Sequence, residues 1–499
     1  AYGEDKAYLW ISESSEGYSI EEIEKENVGT EITLYFREDG EENYSQYLEE
    51  FTIKNLVKQY SNYVRYPIKM EVTHSRRVDN ESEKDKAPEY EEYTEVETLN
   101  SMIPIWNKSK KDLSDSDYIE FYNQEHFGFD EPLAWTHMVA DGLLSYRAIL
   151  YLPGAMPFDF YTKEYKKGLE LYSSGVKIMD SCEELLPDYY SFVKGVVSSE
   201  DVSLNISREV LQQNRQLKAI AKKIESKITD ELKKMLENDR EKYETFFHLF
   251  GSQLKSGIYQ SYGMKKDTLA DLLIFATSDG DKKKTLKEVI EGYSTEIADK
   301  KKIYYATGDS VDIIDTLPAL QAIKSKGIEI LYLVDDIDEF MLKLMNDYNE
   351  YSFQSVLAED FSLDDEEVDK EKTEEEKVED EQRESLFECM KAILDDEVVE
   401  VKESKRLLDD AVVLVAQGDI SIDMEKTFMN QPGVQKLTAQ KILEINTNHP
   451  VYDKLLNLKD TDEEKFEQYT KILYNQARLI AGLPIENPVE FTKSIQKLM

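Results

Sequence analysis

The residues best placed to do chemistry lie in NISREVLQQN, residues 205–214. Ser207 has the type and position of an N-cap, its hydroxyl accepting from an orphan amide of the first helical turn. Arg208 then sits at the positive end of the helix dipole, where a cation is mildly disfavoured. Gln212 and Gln213 complete a polar opening turn. Behind them Leu217, Ile220, Ile224, Ile228, Leu232 and Met235 share one helix face, the anchor of a long helix. A cation held out on a rigid element is the design of an arginine finger, which stabilises charge on a transferring phosphoryl group. A surface salt bridge with one of the many acids is the competing reading.

Nothing else in the chain carries a comparable signature. Neither GxxxxGKS, GxxxxGKT, GxGxxG nor GxSxG occurs among the 20 glycines, so phosphate-cradling loops and a nucleophile elbow are absent. Cys182 and Cys389 are the only cysteines, and His74, His126, His137, His248 and His449 show no HxxxH spacing, so no metal site is predicted. With 61 basic against 103 acidic residues the net charge is -42, which repels phosphate backbones and excludes nucleic acid as a partner. No apolar run reaches the roughly 18 residues of a membrane span, and the opening residues lack the regions of a signal peptide. The chain therefore reads as cytoplasmic with no membrane partner, and two distant cysteines suit a reducing compartment.

Those residues need a scaffold, and 499 residues predict roughly three domains at about 150 residues each. The expected fold class is a multidomain α+β and α/β chain. Residues 1–72 read as strands at Ala7–Ile11, at Ile32–Phe36 and at IKMEV, with a helix carrying Leu48, Phe51, Val57, Tyr60 and Val64 before Pro67. So few elements bury too little to stand alone. With Ala1 in place of an initiator methionine, they read as the tail of a larger α+β domain.

The stretch SRRVDNESEKDKAPEYEE is charged and nearly free of apolar residues, so residues 73–92 read as a tether. Residues 93–358 read as a two-part α/β region joined by the helix that begins at Ser207. It holds a strand at Tyr146–Leu152, a hairpin or loop at Ser278–Thr285 and a capping box at Thr285 and Glu288. A strand, helix, strand run from KKIYYATG to IEILYLV, with Gly327 ending the helix, implies a parallel pair. Residues 359–384 hold 15 acids and 4 bases and read as an acidic hinge or frayed helix.

Residues 385–499 read as mostly helical. Phe466, Tyr469, Ile472, Leu473, Gln476 and Ile480 fall at helical spacing, Gly482 and Pro484 break that helix, and Asn487 with Pro488 starts a last one. Its Phe491, Ile495 and Leu498 form a stripe covered either by the preceding helix or by a second copy across a two-fold axis.

The segment LNISREVLQQNRQLKAIAKKI closely resembles the signature helix of the heat-shock protein 90 chaperones. So do RAILYLPGAMPFD (147–159), VKIMDSCEELLPDYYSFVKGVVSSEDVSLNIS (176–207), IYYATGDS (303–310), LYLVDDIDEFML (331–342) and LEINTNHPV (443–451), so the resemblance covers essentially the whole chain. It is to the bacterial branch: the acidic tail of eukaryotic cytosolic members and an endoplasmic-reticulum retention signal are both missing, which again implies the cytoplasm.

The resemblance implies a homodimeric clamp, dimerised through its C-terminal domain, that binds and hydrolyses ATP with Mg2+ in an N-terminal domain. Non-native client proteins lie along the middle and C-terminal domains, and co-chaperones are further partners. Arg208 then matches the arginine that reaches the γ-phosphate on closure, with Gln212 assisting, and Thr30 in VGTEITLYF matches a threonine near the adenine. The family's catalytic glutamate, metal-binding asparagine and adenine-contacting aspartate have no counterpart in this sequence. Residues 1–72 then read as the end of a nucleotide-binding domain, no ATP or Mg2+ is expected on this chain, and the chain alone is expected to be inactive as an ATPase. For client contact the resemblance points to Trp106 in IPIWNKS, to Phe340 with Met341 at an exposed aromatic position, and to Met424, Phe428 and Met429. The competing functional reading is a nucleotide-independent dimeric holdase or scaffold.

Overall fold

The computed structural model describes residues 6–14, 17–36, 44–78, 89–125, 130–142, 144–202, 215–362, 374–430 and 437–498. The chain is mixed α and β and separates into two compact units, Ala1–Pro104 with Gly175–Lys177, and Ile105–Ser174 with Ile178–Met499.

In the first unit β1 (Ala7–Ser14) and β2 (Gly17–Ile23) form an antiparallel hairpin. Helix α1 (Glu50–Tyr60) follows, then β3 (Lys69–Val78) pairs antiparallel with β4 (Glu89–Thr98). Asn100 ties down the chain after α1. Its Nδ2 donates to the carbonyls of Val64 at 2.9 Å and Tyr66 at 3.0 Å, and its Oδ1 accepts from the Ile68 amide at 2.8 Å.

Two expectations are corrected here. Ile32–Phe36 forms no strand, and Leu34 is 76% exposed, because alternation yields a strand only where a neighbouring chain completes the ladder. The expected tether over residues 73–92 is shorter: the β3–β4 ladder runs to Val78 and resumes at Glu89, with Arg76 opposite Glu91. Among the described residues Val72 and Pro104 are the only apolar side chains buried in this unit, in line with the small core expected of it.

The second unit stacks three sheets. After α2 (Asp115–Glu125), strands β5 (Ala134–Ala140), β6 (Tyr146–Leu152), β7 (Leu169–Ser173), β8 (Val176–Cys182) and β9 (Lys194–Ser198) lie in the order β5-β6-β9-β7-β8. Two long helices, α3 (Arg215–Asn238) and α4 (Arg240–Gln260), then pack on it. The α3 stripe Leu217, Ile220, Ile224, Ile228, Leu232 and Met235 is buried throughout, as its spacing predicts.

The second sheet contains β10 (Ile274–Thr277), β11 (Gly280–Thr285), β12 (Lys302–Thr307), β13 (Ile330–Leu333), β14 (Asp347–Tyr348) and β15 (Tyr351–Ser355), ordered β11-β10-β13-β12-β15-β14. Helix α5 (Leu286–Gly292) follows the β10–β11 hairpin and carries the expected Thr285–Glu288 capping box. Strands β12 and β13 are parallel, as expected, but the crossover is not one helix. It breaks into Val311–Asp315 and Gln321–Ser325 around a turn at Pro318, since proline supplies no amide to continue the first piece. Gly327 ends it at φ 69°, a left-handed conformation suited to glycine. Helix α6 (Asp338–Met345) follows β13.

The third sheet, β16 (Glu400–Glu403), β17 (Val412–Gln417) and β18 (Gln440–Ile445), is ordered β16-β18-β17. It is accompanied by α7 (Glu374–Leu394), α8 (Ile422–Asn430), α9 (Pro450–Thr461), α10 (Glu463–Ile480) and α11 (Pro488–Leu498). Period-two alternation sorts side chains between layers. On β12, Ile303 and Tyr305 face the long helices while Tyr304 and Ala306 face the third sheet. On β17, Val413 and Val415 meet that same core, whereas Val412 and Leu414 pack under α7 and α10. A shared core therefore crosses the expected boundary at residues 359–384, and residues on both sides of it belong to one compact unit.

Helix α10 is rotated from its expected face. Phe466 and Leu473 are buried, but Gln476 is exposed and Tyr474 and Ala477 take the inner positions. Asn487 caps α11 through Oδ1, which accepts from the Glu490 amide at 3.1 Å, as the Asn-Pro start predicts.

Candidate functional site

Arg208 and Gln212 lie in residues 203–214, outside the described residues. What is described is their support: the Val202 carbonyl accepts from Ser173 Oγ at 2.6 Å on one side, and the buried α3 stripe begins at Leu217 on the other. Thr30 is exposed in a stretch without regular structure. It is the one described residue that the resemblance assigns to nucleotide, and an exposed hydroxyl in a stretch without regular structure is no cradle for ATP or Mg2+. The described residues do not fit the group.

Trp106 is a core residue, 1% exposed, rather than a surface for clients. Its ring packs against Tyr172 at 4.9 Å and Phe121 at 6.0 Å, and so large an apolar body is worth most when buried. Its carbonyl accepts from His137 Nε2 at 3.0 Å, which leaves Nδ1 to accept from the Tyr118 hydroxyl at 2.9 Å. Burial holds the His137 pKa below the ordinary imidazole value, Lys110 and Arg147 push the same way, and the Trp106 carbonyl opposes them.

The remaining residues that the resemblance assigns to client contact meet where α6 and α8 come together. Phe340 is half-buried, but Met341, expected beside it on the surface, is fully buried. Adjacent helical residues point about 100° apart, so when Met341, Leu342 and Met345 fill the core only Phe340 can turn outward. On α8 the correction is similar: Met424 is 3% exposed, Phe428 half-buried, and Met429, one step further round, 41% exposed.

What results is an aromatic line. Tyr259 at the end of α4 meets Phe340 edge-on at 6.2 Å, Phe340 meets Phe428 edge-on at 5.5 Å, and Met429 continues the surface. Polar contacts hold it in place. The Glu339 carboxylate accepts from Tyr305 at 3.1 Å and from Ser421 Oγ, Thr307 Oγ1 donates to Asp423, and Lys343 donates to the Asp419 carbonyl and reaches Met424 Sδ at 3.4 Å. Burial raises the Glu339 pKa; Lys343, Ser421 and Tyr305 act against that, and Asp423 adds to it. Tyr259, Glu339 and Ser421 carry no sequence signal of this role, since their partners are tens of residues away.

At the C-terminus Phe491 and Ile495 are half-buried and belong to no core cluster, so α10 covers the stripe only in part. The side chain of Leu498 lies outside the described residues.

Comparison with known proteins agrees with this architecture. The family model described as Hsp90 protein matches residues 46–95 and 78–499. The Chaperone protein HtpG of Clostridium perfringens (strain 13 / Type A) is 49% identical over 500 residues, covering 100% of this chain and 78% of that protein. That of Clostridium botulinum (strain Langeland / NCTC 10281 / Type F) is also 49% identical with the same coverage. The HtpG of Alkaliphilus oremlandii (strain OhILAs) is 51% identical over 496 residues, 99% of this chain and 77% of that protein. The chain belongs to the heat-shock protein 90 family. Within that family it is of the HtpG type.

Proposed function

We propose that this chain works as a molecular chaperone that holds non-native client proteins on the surface where α6 and α8 meet. In this reading it is a cytoplasmic homodimer joined through α11 and acting as a clamp. ATP and Mg2+ would enter only in a full-length protein that adds a nucleotide-binding domain, with Arg208 as the arginine finger and Gln212 beside it; this chain alone is read as inactive as an ATPase. The observation that carries the reading is the line from Tyr259 through Phe340 and Phe428 to Met429, partly exposed on a rigid frame. Aromatic rings and a flexible thioether suit contact with many unrelated apolar segments.

The test is suppression of aggregation, read as light scattering from a heat-denatured enzyme mixed with the full chain. Phe428→Ser with Met429→Ser should remove most of the suppression while leaving the circular dichroism spectrum unchanged. Equal suppression by this folded variant would refute the client surface. The exposed Thr30 favours a second reading for the chain as it stands, a nucleotide-independent holdase. Added ATP should then change neither suppression nor phosphate release, and turnover above background would reject that reading.

A further inference from the structure

A cavity of about 550 Å³ opens beside the aromatic line, outside the carboxyl ends of the parallel strands β12 and β13. Crevices at that end of parallel strands are where such sheets take ligands. Phe340, Met424 and Met429 give it an apolar lip, and its charged lining is lopsided: Asp309, Asp335, Asp336, Glu339 and Asp423 face a single lysine, Lys426.

That lysine is already committed, at 2.5 Å to Asp423 and 3.3 Å to Asp309. Lys255, bound to Asp335 at 2.7 Å, is shared with buried Asp338 at 2.7 Å, and Lys343 lies 4.0 Å from Glu339. Counting Lys255, Lys343 and Asp338 with the lining still leaves an excess of acid. Asp309, Asp335 and Asp336 stand at the exposed rim, and Asp336 has no ion pair with a described residue.

Resting on the client-holding reading, we propose that this cavity selects polypeptide segments in which an arginine or lysine stands next to an aromatic or aliphatic side chain. The cation enters among Asp309, Asp335 and Asp336, and its neighbour lies along Phe340, Phe428 and Met429. Oppositely charged partners gain at such a rim, whereas an acidic segment brings like charges together in a low-dielectric recess.

The test is fluorescence anisotropy of two labelled peptides, a shared Leu-Phe core flanked by arginines or by glutamates, titrated with the full chain. The arginine peptide should bind about tenfold tighter, and about 0.5 M salt should erase most of that preference. Asp309→Asn with Asp336→Asn should cut it at least about threefold. Glu237→Gln with Glu241→Gln, equally exposed acids on α3 and α4, should leave it in place. Phe428→Ser should weaken both peptides together.

Equal binding of the two peptides, or an equal effect of both double variants, would overturn the proposal, the second outcome assigning the preference to whole-chain charge. If aggregation suppression still depends on Phe428 and Met429 while the peptides bind alike, only the charge selection fails. If suppression ignores those residues, the client surface itself is lost.

Discussion

Arg406 and Glu444 make the strongest single test of how the second unit is held together. Arg406 Nε and Nη2 donate to the two Glu444 oxygens at 2.9 Å each, Ser404 Oγ donates to Oε2 at 2.9 Å, and the pair is almost wholly buried. Arg406 Nη1 also reaches the carbonyls of Val356 and Ala358, just beyond β15, and the guanidinium lies over the Phe361 ring at 5.2 Å. One side chain thus links the third sheet to the chain leaving the second. Glu444→Gln keeps the shape but leaves a buried guanidinium without its counter-charge, which costs about 3–5 kcal/mol. Arg406→Met with Glu444→Leu removes both charges. Ala358 keeps the Phe361 amide as a donor and half-buried Ser404 can turn its hydroxyl to water, so the Val356 carbonyl is the main group left short, at about 1–3 kcal/mol. The double variant should therefore be more stable than the single one. Urea unfolding reads this with two probes, far-UV circular dichroism for the whole chain and tryptophan fluorescence, since Trp10, Trp106 and Trp135 all lie outside the third sheet. In Glu444→Gln the dichroism transition should begin at lower urea than the fluorescence transition. A loss under about 1 kcal/mol in Glu444→Gln, or a double variant less stable than it, would refute the reasoning.

Two further outcomes follow from the same structure. The depressed pKa of His137 means that the unfolded chain takes up its proton first, so stability falls as pH drops below the ordinary imidazole value near 6.5, and His137→Gln should flatten that fall in thermal melts between about pH 7 and pH 5; a slope equal to that of the unaltered chain would reject the buried neutral imidazole. A chain ending before Pro488 should lose dimer mass in light scattering, because Phe491 and Ile495 are only partly covered within one chain; an unchanged mass would move the dimer contact elsewhere.

Much of the scaffold is legible in the sequence where a local rule decides the outcome. The α3 stripe, the Thr285–Glu288 box, the Gly327 terminus and the Asn487 cap each depend on residues within a few turns, and each appears in the structure. Ile32–Phe36 fails because a strand is a property of two chain segments, and the alternating segment carries no information about whether a partner is present. The acidic run is less informative for a related reason, although the helix it offers as one reading is present from Glu374 onward. Charge over residues 359–384 describes solvation of that stretch, while the Tyr304, Val413, Val415 and Ile442 core that bridges it is assembled from segments whose hydrophobicity says nothing about which neighbour they will meet.

The candidate site shows the same division at finer grain. Phe340 and Met341, or Met424 and Met429, are indistinguishable by residue type, and only helix phase separates the outward member from the buried one. That phase is fixed by the core: Met341, Leu342 and Met345 commit α6 to face inward, and the 100° step then delivers Phe340 to the surface beside Tyr259. The acids of the neighbouring cavity come from α6, α8 and the turns after β12 and β13, so no window of sequence displays all of them together. Their position at the carboxyl ends of β12 and β13 follows from the parallel pairing, which the strand, helix, strand order does predict. The location of a crevice was therefore accessible from sequence, and its charge and apolar lip were not.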